Sequence, residues 1–232
     1  MSGHLAGSSA PQRKPFKGTG MNGWIARWYA RTRQNDMEDF RQKAKAVSRH
    51  LRRGSRVLEV APGPGFFAIE LAKLGDFQIA GIDISRTFVD IARDNARNAG
   101  VSVDFRLGNA SAISFPDASF DFVYCSAAFK NFTEPVAALN EMCRVLVPGG
   151  QALIDDLRKD ASFDEINSYI KQSGREWFDA WVTRRVFRHL LLKRAYTRAD
   201  FQQMARQSRF STCEVSDSSV SLEVRLSKPA SH

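Results

Sequence analysis

One stretch of this 232-residue chain, VLEVAPGPG at residues 57–65, constrains the fold more than any other. Strand-forming residues run into a loop holding two prolines and two glycines, and a helical pattern, FFAIELAKL, follows at once. The unit then recurs. SRVLEVA (55–61) precedes a helix over 66–74, FQIAGIDI (77–84) precedes a helix over 86–98, and VSVDFRL (101–107) leads into a short polar segment. FDFVYCS (120–126) precedes a helix over 134–146, and QALIDDL (151–157) forms a fifth strand after the turn VPGG. Strands and helices alternating at this spacing predict a parallel sheet with helices on both faces, the doubly wound, Rossmann-like α/β architecture. STCEVSD and SVSLEVRL close the chain with a link at Ser218 and Ser219 too short for anything but an antiparallel hairpin, so one C-terminal strand is reversed.

The flanks read differently. Residues 1–20 are rich in Gly, Ser and Pro and lack the apolar centre of a secretory signal, so they are expected to be a flexible leader before a single domain over 21–232. GWIARWYARTRQ and MEDFRQKAKAVSRHL have helical spacing and predict an N-terminal helical cap over about residues 21–53. A helical insertion rich in Trp, Phe and Arg occupies about 162–195, and TRADFQQMARQ (197–207) has Thr197 as N-cap and Asp200 three residues on. No apolar run approaches the roughly 20 residues of a membrane helix, and a cytoplasmic location is expected. Cys125, Cys143 and Cys213 are far apart with no CxxC, so neither a disulfide framework nor a metal site is expected. The net charge of +9 is unevenly placed: residues 1–53 carry 12 Lys/Arg against 3 Asp/Glu, residues 54–160 carry 10 against 14, and residues 161–232 carry 12 against 8. Basic ends around an acidic middle point to particular surfaces rather than to a general affinity for nucleic acid.

A loop between the first strand and helix of such a sheet lies at the carboxyl edge, where small ligands bind. Gly63 and Gly65 lack a Cβ and let the backbone approach a ligand closely. Counted from Ala61, the dinucleotide pattern GxGxxG is not met, because a proline lies between the glycines and the bulky Phe66 stands where the helix-packing glycine would sit, and no GK[ST] follows. Pyrophosphate is therefore disfavoured. Asp83 ends the second strand about 18 residues past Gly65, where a carboxylate accepts from both hydroxyls of a ribose. Asn109, after the third strand, can pair with an adenine edge. Ribose and adenine without pyrophosphate point to S-adenosyl-L-methionine.

VLEVAPGPG, GIDIS, LGNASAISFPDASFDFVYCS and EMCRVLVPGG, in this order, resemble the successive motifs of class I S-adenosylmethionine-dependent methyltransferases. The similarity covers roughly residues 36–226 and is greatest to the small-molecule group that includes the quinone-biosynthesis enzymes. It implies a seven-stranded sheet with a reversed last strand. It also implies that Glu59 orients the loop and the cofactor's amino group, Gly63 and Gly65 line the methionine part, and Asp83 holds the ribose. Ile84 would lie on the adenine face, Asn109 and Ala110 on its edge, and Ser126 beneath the methionyl portion. Three features depart from the family pattern. Ala61, counted with the cofactor loop, stands where the first glycine is usual, and Asn109 replaces a common aspartate. After the fourth strand, Ala128-Phe129-Lys130-Asn131-Phe132 replaces the frequent histidines.

Methyl transfer from a sulfonium needs alignment and exclusion of water more than a dedicated base. Tyr29, Lys130 and Asn131 are the candidate groups on the acceptor side. The cap and the insertion are expected to cover the acceptor site, with Trp24, Trp28, Trp177, Phe178, Trp181 and Phe187 walling an apolar pocket and Arg184, Arg185, Arg188, Lys193 and Arg194 attracting an anionic group. His189 reads as a partly buried neighbour of that segment. The expected reaction is methyl transfer to a small-molecule acceptor, hydrophobic and anionic, with the O, N, S or C atom left open. Two alternatives compete: a nucleic-acid methyltransferase, which lacks the expected NPPY-like tetrapeptide here, and a cofactor-binding protein of this fold without methyl transfer. The basic, aromatic insertion also suits peripheral contact with a membrane. Oligomeric state is not legible.

Overall fold

The computed structural model describes residues 16–17, 21–172 and 192–230. Two helices, α1 (Gly23–Arg33) and α2 (Met37–Ser48), precede the first strand, β1 (Arg56–Val60). The alternation then runs α3 (Phe66–Ala72), β2 (Gln78–Asp83), α4 (Arg86–Asn98), β3 (Asp104–Leu107), β4 (Phe120–Ser126), α5 (Pro135–Val145) and β5 (Leu146–Leu157). After α6 (Phe163–Gln172) come α7 (Arg198–Arg206), β6 (Thr212–Asp217) and β7 (Ser221–Ser227). The sheet order is β3-β2-β1-β4-β5-β7-β6, with β7 antiparallel to both neighbours and the first five strands parallel. The seven-stranded, doubly wound sheet with one reversed C-terminal strand is thus the observed fold.

Side-chain parity divides the core. Leu58, Val60, Ile82, Val123, Cys125 and Ile154 point to the face covered by α5 and α7, whereas Val57, Ile79, Phe122, Tyr124 and Leu153 point to the face covered by α2, α3 and α4. The helices start where the sequence supplies caps. Ser85 Oγ accepts from the Phe88 N–H at the start of α4, Pro135 opens α5, and Thr197 and Asp200 form a reciprocal capping box on α7.

Two boundaries differ from expectation. VPGG is not a turn ahead of the fifth strand but a bulge within it, since Phe120 pairs with Leu146 while Phe122 pairs with Gln151. Gly149 takes φ +74° there. The third strand is shorter than VSVDFRL (101–107) because it is the sheet's edge and pairs with β2 alone. Within the segment expected to be a leader, Phe16 bridges to Phe132, and Lys17 donates from its backbone to the Asn131 carbonyl at 2.7 Å and from Nζ to the Tyr196 hydroxyl at 2.8 Å.

Candidate functional site

Parity also builds the site. Counting in twos from Val57, Ile79, Tyr124 and Leu153 reaches Glu59, Asp83, Ser126 and Asp155, so four polar side chains project at the carboxyl edge on the face of α2, α3 and α4. The β1–α3 loop turns on three left-handed residues, Ala61 (φ +59°), Gly63 (φ +55°) and Gly65 (φ +79°). Two are glycines, for which this is free; Ala61 sits there against roughly 1–2 kcal/mol of Cβ strain. Ala127, just past β4, is held likewise at φ +56°, so two strained alanines flank the same edge. Gly65 has a second constraint, since a Cβ on it would lie 2.7 Å from the Phe105 ring and 2.9 Å from Ala92. Asn95 Nδ2 donates to the Pro64 carbonyl at 2.9 Å and pins the loop to α4. Phe66 fills the helix start by packing on Phe40, with ring centroids 5.6 Å apart.

Two carboxylates organise this edge. Glu59 is buried, and its Oε2 accepts from the Ala68 N–H at 3.2 Å, satisfying a free amide in the first turn of α3 from the strand beneath. Burial pushes its pKa up to about 8, against the lowering effect of that amide, and the charge of Asp83 adds to the rise. Asp83 is also buried; its Oδ2 accepts from the Gly63 N–H at 3.0 Å and its Oδ1 from the Ser85 N–H at 2.8 Å. Burial raises it to about 6, opposed by amides of Ser85, Gly63 and Ile84. Beside Asp83, Ile84 is 40% exposed, and Leu107, its neighbour at the end of β3, is 45% exposed. Both leave aliphatic surface open to solvent at this edge. Leu107 was not anticipated; its register partner is Asp83 itself, and the only signal was its place as the last residue of an edge strand. Asn109 lies beyond, with Oδ1 accepting from the Ser111 N–H at 3.0 Å, which leaves its amide hydrogens and one lone pair for a ligand. Ala110 is buried under it.

Past β4 the expected candidates separate. Ser126 Oγ stands 3.4 Å from Asp155 Oδ2, and Lys43 of α2 reaches the same carboxylate at 2.8 Å. Burial disfavours the Lys43 charge, but Asp155 outweighs it and the ammonium is raised above its usual range. Burial likewise holds the neighbouring Tyr124 phenol well above its ordinary value. Sequence reading missed Lys43, Asp155 and Tyr124. Lys130 is a correction: neither a surface residue nor a group open to an acceptor, it is buried, with Nζ 2.7 Å from Asp156 Oδ1 and also donating to the Ala127 carbonyl. Its backbone N–H donates to Asp156 Oδ2 at 2.8 Å. So committed, the side chain braces the loop after β4. Asn131 is half-buried, and its carbonyl holds Lys17. Tyr29 lies edge-on to Phe88, 5.8 Å between centroids, tying α1 to α4.

Of the expected pocket walls, only those on α1 fall among the described residues. Trp24 and Trp28 are 75% and 60% exposed, because Ala26 and Ala30, not the indoles, face α4. Trp177, Phe178, Trp181, Arg184, Arg185, Phe187, Arg188 and His189 lie outside the described residues. Among the described residues no helix is long and apolar enough to cross a membrane.

Residues 58–154 match the family described as Methyltransferase domain. The chain is 42% identical over 108 residues to a demethylmenaquinone methyltransferase of Deinococcus radiodurans, covering 46% of this chain and 45% of that protein. It is 37% identical over 115 residues to a ubiquinone/menaquinone biosynthesis C-methyltransferase of Hydrogenovibrio crunogenus, covering 47% and 44%. The chain thus spans about half the length of the curated relatives it matches. Among solved structures, a putative S-adenosyl-L-methionine-dependent methyltransferase of Methanococcus maripaludis superposes with a TM-score of 0.71 at 18% identity, over 93% of this chain and 97% of that one. The [4+2]-cyclase SpnF superposes at 0.64 and 22% identity, over 82% and 81%.

Proposed function

We propose that this protein, whose residues 58–154 match the methyltransferase-domain family, transfers a methyl group from S-adenosylmethionine to a small hydrophobic acceptor of the quinol class. The observation that carries the cofactor half is the continuous edge from Glu59 through the Gly63–Gly65 turn to Asp83 and the exposed Ile84 and Leu107. Those residues match a ligand with an ammonium, a ribose and a flat base in that order. The relatives named for demethylmenaquinone and ubiquinone/menaquinone biosynthesis support the acceptor class. Nucleic acid is not favoured as acceptor. A quinol partitions into lipid, so contact with a membrane surface is part of this reading.

When bound, the cofactor supplies an electrophilic methyl group. Glu59 would take its ammonium, Asp83 its ribose hydroxyls, Asn109 and Ala110 the edge of its base, and Ser126 its methionyl end. Ala61 and the two glycines shape the loop that closes over it. On the acceptor side, Asn131 offers a polar contact, Tyr29 fixes the cap helix, and Lys130 acts through the loop it braces. The Lys43–Asp155 pair ties α2 to the end of β5 and helps keep water from that corner.

Calorimetry with S-adenosylmethionine and S-adenosylhomocysteine tests the reading. Asp83→Ala removes charge-assisted hydrogen bonds of about 1.5–3 kcal/mol and should weaken binding by about tenfold or more. Because Asp83 also anchors Gly63, Ile84→Asp provides a second variant at an exposed position, with an unpaired charge against the base. Unchanged affinity in both variants would remove the site from this edge. Turnover is then measured on a demethylated quinol.

A further inference from the structure

Helix α1 carries no acidic residue, and its outward face repeats an unusual set of side chains. Trp24, Arg27, Trp28 and Arg31 stand at i, i+3, i+4 and i+7, which is one side of a helix, and all four are exposed. The opposite side is fixed. Ala26 and Ala30 are buried, the Gly23 N–H donates to Thr87 Oγ1 at 3.0 Å, and Tyr29 packs on Phe88, so the helix lies along α4 and cannot roll its indoles inward. Arg33 is spent locally on Asp36 at 2.6 Å, whereas no carboxylate among the described residues lies within ion-pairing distance of Arg27 or Arg31. Two indoles and two uncompensated guanidiniums on one surface are the composition of a helix that rests in a lipid headgroup layer.

The geometry points to this face of α1 as the docking surface for an anionic lipid bilayer. Charge selects that occupant. A second copy of the chain meeting it about a two-fold axis would set like charges against each other with no anion to offset them. Among the described residues the two indoles stand in the open and wall no acceptor pocket. The place of the helix gives the contact a use. Ser85, two residues past Asp83, donates from Oγ to the Met21 carbonyl immediately before α1, so the lipid-facing helix begins at the margin of the candidate cofactor site. A lipid-soluble acceptor would then reach the site without crossing water. The inference deepens the proposed function by naming the surface through which such an acceptor arrives, and its readout needs no turnover.

Co-sedimentation of the full chain with vesicles of phosphatidylcholine, with and without phosphatidylglycerol, is the test. The expected result is binding that requires the anionic lipid and weakens with salt. Arg27→Gln with Arg31→Gln should reduce it by about 30-fold, on the usual contribution of a basic residue near a charged membrane. Trp24→Ala with Trp28→Ala should reduce it by about tenfold or more, while the melting temperature and S-adenosylhomocysteine affinity stay at wild-type values because all four side chains are exposed. The inference is overturned if the wild type ignores anionic vesicles, or if both double variants bind them as well as the wild type does. It is equally overturned if the tryptophan variant instead changes the oligomeric state, or loses single-stranded RNA binding, with vesicle binding intact. Failure of the methyl-transfer reading is separable, since it would appear in cofactor affinity and turnover and leave these vesicle measurements as they are.

Discussion

Replacing Glu59 with Gln should change how the stability of the protein depends on pH, and the sign is fixed by burial. In the unfolded chain this carboxyl ionises near 4.5; in the fold, buried at the end of β1, it ionises near 8. Between those values the folded chain keeps a proton that the unfolded chain has released. Its stabilising contribution is therefore complete below about pH 4.5 and is lost as pH rises to about 8, beyond which the curve is flat. A separation of about 3.5 pH units at ~1.4 kcal/mol each sets the loss at ~5 kcal/mol, an upper figure because Asp83, raised to about 6 from 3.8, interacts with the same charge. Gln is neutral throughout, and its carbonyl can still accept from the Ala68 N–H, so the variant lacks this slope. Urea unfolding at pH 5, 6.5 and 8.5 should show the wild type losing several kcal/mol relative to Glu59→Gln across the series. Parallel curves would refute the assignment of a buried, protonated Glu59. The same carboxyl should make cofactor binding pH-dependent. A ligand ammonium favours ionised Glu59, so above pH 6, where Asp83 is already ionised, the wild-type Kd for S-adenosylmethionine should tighten by up to about tenfold per pH unit as pH rises towards 8, and this part of the dependence should be lost in the Gln variant.

Gly65→Ala should destabilise the fold by about 2–4 kcal/mol, since it combines left-handed strain with a Cβ driven into Phe105 and Ala92, and thermal unfolding would show it. Retention of the wild-type melting temperature would mean that the loop turns differently. Lys130→Met should cost about 3–5 kcal/mol at neutral pH by leaving Asp156 buried and uncompensated, whereas Lys130→Met with Asp156→Leu should recover most of that loss; equal losses in the single and double variants would remove the ion pair from its bracing role.

How much was legible follows from how local each cause is. Helix α4 matched its expected bounds, Arg86 to Asn98, because a serine cap, an amphipathic period and the following Gly100 all act within one segment. The capping box of α7 was legible for the same reason. That the glycine loop and Asp83 meet at one carboxyl edge was legible because each is fixed by its distance from a strand. Lys130 was not. Nothing in AFKNF distinguishes a surface lysine from one whose partner returns 26 residues later, and the decisive fact is parity in β5, which sends Asp155 to one face and Asp156 to the other. Lys43 and Asp155 meet across a still longer separation. The exposure of the tryptophans of α1 has a different origin. Hydrophobic periodicity favours burying the largest apolar side chains, but close approach to α4 is achieved by Ala26 and Ala30, and small residues carry little weight in such a pattern.

A shared fold does not by itself determine the reaction, because a [4+2]-cyclase superposes on this chain as well as several methyltransferases do. The case for a ligand at the carboxyl edge rests instead on features that make little sense in a fold left to itself. Glu59 and Asp83 are buried at a cost large enough to raise both pKa values, and Ala61 and Ala127 hold a left-handed backbone that glycine would adopt freely. Ile84 and Leu107 leave aliphatic surface open to water beside them. Each feature disfavours the bare fold, and their order along the strand ends is not arbitrary. A single small molecule bearing a cation, a pair of hydroxyls and a flat base would neutralise the first, satisfy the second and cover the third. Strain and desolvation concentrated where one ligand relieves them all is how stability is given up for binding, and it points to the same cofactor whichever bond is made at its far end.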